Sequence, residues 1–104
     1  MIGRDLAKLS KKQIERHIRE RALNTANVLL TDHARKRMRE RRITLAMVYD
    51  VLRKGMLVRE PEPSLRHEAL ECRMERYVEG RDIGVVVAFE LDAAGLPVIT
   101  VMDI

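Results

Sequence analysis

The chain has 104 residues, 46% of them hydrophobic and 35% charged, a length suited to one domain with a single core and a composition unlike that of a disordered tract. No stretch reaches the ~20 apolar residues of a bilayer span, Met1 to Ser10 lack the apolar run of a secretory signal, and the single cysteine, Cys72, excludes an internal disulfide and a cysteine-built zinc cluster, so a cytoplasmic location is expected. The net charge of +4 is unevenly shared, since residues 1–60 hold 16 Lys/Arg against 7 Asp/Glu and residues 61–104 hold 4 against 9. Such asymmetry points to a surface for an anionic partner such as nucleic-acid phosphate, or to a basic helix face that merely meets water.

In chain order, Ser10 and Gln13 have the form of a capping box, so a helix is expected to start near Lys11. Its apolar stripe, Ile14, Ile18, Ala22 and Ala26, is narrow and surrounded by Lys11, Lys12, Arg16, Arg19 and Arg21, which predicts peripheral packing. Val28-Leu29-Leu30 reads either as its continuation or as a short strand. Thr31 and Asp32 are N-cap residues for a second, basic helix through Arg41. Thr44 caps a third, with Leu45, Val48, Val51 and Leu52 as its buried face and Gly55 where the chain leaves it. The period then changes. Met56 to Arg59 is expected as a short edge strand, Leu70, Cys72, Met74 and Val78 alternate with polar neighbours, and Ile83 to Leu91 is apolar enough for a central strand. Hairpin turns at Gly80 and near Gly95 lead to a last strand over residues 97–102. Helices followed by a meander give an α+β class, with the helices packed on one face of a twisted, mainly antiparallel four-stranded sheet.

The densest polar constellation runs from His33 to Arg42. On a helix His33, Arg37 and Arg41 share one side, with Lys36 nearby and Ala34 and Met38 on the apolar side. RNA cleavage needs such a set: a group to take the ribose 2′-OH proton and cations to stabilise charge on the phosphorane. A capping histidine on a solvated face is the plainer explanation. Arg73 and Tyr77 fall on one side of their strand, and Thr100 sits among aliphatics in the last one. His17 and His67 read as surface residues, and Cys72 as a buried, inert thiol. No phosphate-binding glycine loop, metal-ligand spacing or cofactor motif is visible, so neither a metal nor a cofactor is expected.

The run His33-Ala34-x-x-Arg37-Met38-x-x-Arg41-x-Ile43-Thr44, followed by a Val/Leu-rich helix, a triple-valine strand and Val98-Ile99-Thr100-Val101, resembles the family called domain of unknown function 4258 over roughly residues 29–104. That family is similar to the RelE-like group of bacterial ribonuclease toxins, in which helices pack on a twisted antiparallel sheet and RNA lies across its open side. The resemblance implies a toxin-like endoribonuclease of a toxin–antitoxin pair, cleaving RNA, ribosome-bound mRNA included, by metal-independent transesterification. It assigns His33 to proton transfer and Arg37 and Arg41 to phosphate, matches Thr100 to the family's threonine, and asks for a basic group from the sheet, Arg73 or Arg76. The catalytic set is then His33, Arg37, Arg73 and Thr100, and the RNA-binding set Arg41, Lys36, Arg76 and Tyr77. An acidic antitoxin is the expected protein partner, a homodimer is compatible with this reading, and no membrane is involved. The alternative is a regulatory module that grips nucleic acid or a partner with the same face and performs no catalysis. Residues 1–30 form an N-terminal helical extension outside the RelE-like core of 31–104, and Arg42 stands where members commonly show Gly.

Overall fold

The computed structural model describes residues 8–64 and 69–104, so His67 lies outside the described residues. The first helix, α1 (Lys11–Ala22), starts at the capping box: the Ser10 hydroxyl accepts from the Gln13 N–H and the Gln13 side chain from that of Ser10. A 3-10 turn (Thr25–Asn27) follows, and Val28–Leu30 is a strand, β1. Helices α2 (Asp32–Arg41) and α3 (Leu45–Lys54) come next, then β2 (Met56–Leu57), β3 (Glu62–Pro63), β4 (Leu70–Val78), β5 (Arg81–Phe89) and β6 (Leu96–Asp103).

The sheet has six strands rather than four and is mixed, with β1 parallel to its neighbour and the other pairings antiparallel. Its order is β1-β6-β5-β4-β2, with β3 also on β4, and β1 runs parallel to β6, Leu30 opposite Val98. The strand at Val28–Leu30 is one of the two readings the sequence leaves open, but its pairing has no local signal and neither has β3. β1 is three residues long, too short for a period, and its partner lies almost 70 residues away. β3 ends in Pro63, tolerated because β3 is an edge with no further ladder to supply.

The α1 helix is not peripheral. Ile14, Ile18 and Ala22 are at most 2% exposed and join the core formed by Val48, Val51, Leu52 and the inner face of the sheet. A narrow stripe suffices because the flanking charges bend back onto the chain. Arg19 donates to the Gly55 carbonyl at 2.6 and 2.9 Å, and Lys11 to that of Val58 at 3.1 Å. Arg21 donates to the carbonyls of Glu90 and Leu91, both at 2.6 Å, with its guanidinium 4.5 Å from the centre of the Phe89 ring. Burial lowers the pKa of Arg21, and Asp92 partly offsets this. His17, expected on the surface, is half-buried with its ring 5.8 Å from that of Phe89. Glu15, a buried carboxylate, accepts from the Leu57 N–H at 2.9 Å and pairs with Arg19 at 3.8 Å.

Two positions carry left-handed backbone that their residue types disfavour. Arg42 (φ 53°) ends α2 where glycine is the usual choice, and Glu79 (φ 49°) precedes Gly80 (φ 80°) in the two-residue β4–β5 hairpin, whose twist requires positive φ at both residues. Gly55 has a different reason to be glycine. Its φ is −74°, but a Cβ there would strike the Val51 carbonyl and come within 2.9 Å of the Glu75 oxygen, because the end of α3 presses on β4.

One face of the sheet, with Cys72, Met74, Val85, Val87, Val98 and Val101, is buried under the helices. Cys72 is fully enclosed, and burial, with Glu71 adding, pushes its thiol up to about 12, in keeping with an inert side chain. The pairing register puts Arg73, Glu75 and Tyr77 of β4, Val86 and Ala88 of β5, and Thr100 and Met102 of β6 on the opposite, open face.

Candidate nucleic-acid interface

Helix α2 lies along β6 and is fastened to the sheet at both ends. At its start, Thr31 caps the helix, accepting from the Ala34 N–H at 3.1 Å, while its own hydroxyl donates to the Val98 carbonyl at 2.7 Å. At its end, the Arg81 guanidinium donates to the carbonyls of Arg41 (2.6 Å) and Arg42 (2.9 Å) and pairs with Asp103 at 2.6 Å. A cation there also suits the negative end of the helix. Because β1 pairs only with residues 96–98, α2 takes over the flank of β6 beyond them.

That changeover coincides with a β-bulge. Val86 lies opposite Thr100 but Val87 opposite Val98, so Ile99 is an extra residue in β6. Ile99 and Thr100, adjacent in sequence, are both turned away from the core, which strict alternation would forbid. Thr100 is half-buried in a cross-strand row with Val86 and Arg73.

Of α2 only Ala34 is fully buried, with Met38 packed beside it. Arg35 and Arg39 line a small cleft with Leu30 of β1, Ile43 and Leu45. The opposite flank carries His33, Arg37 and Arg41. There His33 is exposed and its side chain makes no hydrogen bond within the described residues, and Arg37 is half-exposed and paired with Glu40 at 3.2 Å. Lys36 and Arg41 are exposed, and neither side chain has an ion pair among the described residues. Residues 32–42 hold six Lys/Arg and two acids, a net +4 that equals the charge of the whole chain.

The sheet residues are differently placed. Arg73 lies on the open face but is held by Glu75, with Nε and Nη2 both 3.0 Å from its carboxylate, and reaches Met102 Sδ at 3.6 Å. It stands two strands, roughly 10 Å, from Thr100. Tyr77 is 65% exposed on the same face. Arg76 projects to the helix side and pairs with Asp50 of α3 at 2.9 Å. His33, Arg37 and Arg41 thus share one flank of α2, Thr100, Arg73 and Tyr77 lie on the open face of the sheet, and Arg76 projects from the opposite face. Reading along the sequence did not single out Arg81, which holds the end of α2; an arginine after a hairpin glycine carries no signal of what it will reach.

Among the described residues no helix is long and apolar enough to cross a membrane, and no group of three or more His, Cys, Asp or Glu side chains is arranged to hold a metal ion. The fold and this flank define a small α+β domain with a basic helix laid along the edge of a half-open mixed sheet. The chain belongs to the family described as domain of unknown function (DUF4258), which matches residues 30–103. The match runs from Leu30, the last residue of β1, to the end of β6 and leaves out α1, although α1 is part of the same core. Comparison with curated proteins and with solved structures returns no match.

Proposed function

We propose that this protein is a toxin-like endoribonuclease that holds an RNA phosphodiester against the basic flank of α2. The observation that carries the reading is the division of labour among the cations. Arg19, Arg21, Arg53, Arg76 and Arg81 are bound to carbonyls or carboxylates of the fold, whereas Arg35, Lys36, Arg39, Arg41 and Arg42, all on or at the end of the helix that carries the exposed His33, stay unpaired within the described residues. His33 takes the 2′-OH proton, the freed oxygen attacks the adjacent phosphorus, and Arg37 and Arg41 stabilise the charge on the phosphorane. Solvent reaches this exposed flank and supplies a proton to the departing 5′-oxygen, leaving a 2′,3′-cyclic phosphate. Thr100, on the open face, would donate a hydrogen bond to a phosphate oxygen in place of its long 3.5 Å contact to the Val101 carbonyl. An acidic antitoxin covering α2 would block the same cations.

The test is cleavage of end-labelled RNA by the purified full chain in the presence of chelator. Wild type is expected to release cyclic-phosphate ends, and His33→Ala to lose about 100-fold or more of the rate, the usual weight of a general base. Cleavage unchanged in His33→Ala overturns the assignment. A second reading, RNA binding without turnover, is favoured by one observation: Arg73 is engaged by Glu75 and no hydrogen bond joins His33 to the sheet within the described residues. It expects affinity that falls steeply with salt and no product.

A further inference from the structure

On the open face a groove of about 960 Å³ crosses the sheet from β1 and the start of α2, where Thr31 lines it, to β3. Its floor is apolar, with Leu29 of β1, Ala88 of β5, and Pro97 and Ile99 of β6. The bulge creates part of it, since only the extra residue in the strand brings Ile99 to this side. Glu62, Glu71 and Glu90, from three different parts of the sheet, stand around the floor. None of these carboxylates has an ion pair or side-chain hydrogen bond within the described residues; Glu20, Asp32, Glu79 and Asp82 are likewise unpaired but stand apart from the groove, whereas Glu15, Glu40, Asp50, Glu60, Glu75 and Asp103 are all paired. In a chain of net charge +4, three unpaired carboxylates around one apolar floor form a local inversion of the field.

We infer that this groove docks a cationic, amphipathic segment of a partner protein. Its apolar side chains cover Pro97 and Ile99, and its lysines or arginines pair with Glu62, Glu71 and Glu90. Spanning five strands, the groove is about 20 Å long, the reach of some six residues of extended chain. Charge complementarity decides the occupant. Nucleic acid is disfavoured because the carboxylates repel phosphate and no aromatic side chain lines the groove to stack a base. An acidic segment belongs on α2 instead. The inference does not depend on RNA cleavage, because the groove shares none of the residues assigned to that chemistry.

The test uses an octapeptide of alternating lysine and leucine, with a glutamate–leucine octapeptide as control, titrated into the full chain while methyl NMR signals of Ala88, Ala93 and Ile99 are followed. Saturable shifts of these methyls with the lysine peptide alone are expected. The double variant Glu71→Gln, Glu90→Gln should weaken binding about tenfold, and Glu20→Gln, Glu79→Gln, two unpaired acids elsewhere, should leave it unchanged. RNA cleavage by the groove variant should equal that of wild type, which separates this inference from the proposed function. Four results overturn it: no saturable shift, equal binding after loss of the groove carboxylates, the same methyls responding to an RNA oligonucleotide instead, or shifts that depend only on protein concentration, as a second copy in the groove would give.

Discussion

Replacing Ile18 with alanine tests whether α1 is an appendage or part of the domain. Ile18 is fully buried, one turn from Ile14 and Ala22, and α1 packs against α3 and β2. An enclosed Ile→Ala change removes transfer free energy and leaves a cavity, together about 2–5 kcal/mol, and a site walled by two helices and a sheet has little room to collapse. A loss of about 3–4 kcal/mol is therefore expected from a domain of this size, whose total stability should be roughly 5–15 kcal/mol. Equilibrium urea unfolding measures it: with a slope of about 1.5 kcal/mol per molar, the midpoint should fall by about 2 M at unchanged slope. The residues matched by the family include neither Ile18 nor Arg19, so an appended helix would leave the midpoint nearly unmoved. A loss below about 1 kcal/mol would refute the integration of α1 into the core.

Two further outcomes follow from the backbone and the buried thiol. Glu79→Asn, which suits the left-handed first position of the β4–β5 turn, should stabilise the protein by about 1 kcal/mol in the same unfolding assay, and a destabilised variant would refute the strain. The Cys72 thiol is held near 12 in the folded state against an ordinary 9.0, so folding favours its protonated form. The stability this supplies is present below about pH 9 and is lost as pH rises toward 12, up to a few kcal/mol. Unfolding curves across that window should therefore fall more steeply for wild type than for Cys72→Ala; parallel curves would refute it.

Where structure is encoded by neighbours along the chain, it can be read without coordinates. The Ser10 capping box, the Thr31 and Thr44 caps, the buried stripe of α3 and the alternation of Leu70, Cys72 and Met74 depend on contacts within a few residues, and the structure has each of them, except that Leu45 of the expected stripe is exposed and Met47 is buried instead. The run from His33 to Arg41 was also visible as one face of a helix. What that face looks toward was not, because it depends on how α2 is fastened to Val98 by Thr31 and to β5 by Arg81.

The cations make the same distinction. Arg16, Arg19 and Arg21 look alike in sequence, but two of them reach the carbonyls of Gly55, Glu90 and Leu91, from 36 to 70 residues away. Arg73 and Arg76 were interchangeable as a basic group from the sheet; the pleat puts one on the open face and the other against Asp50. By itself the sequence determined the helices, the main strands and the concentration of charge in residues 32–42, all products of local spacing. Tertiary structure decided which charges stay free, because a guanidinium on a long stem is committed only when folding brings a distant carbonyl or carboxylate within its reach. It also decided the parallel β1–β6 pairing and the bulge at Ile99, which come from long-range register and so leave no trace in the neighbouring residues.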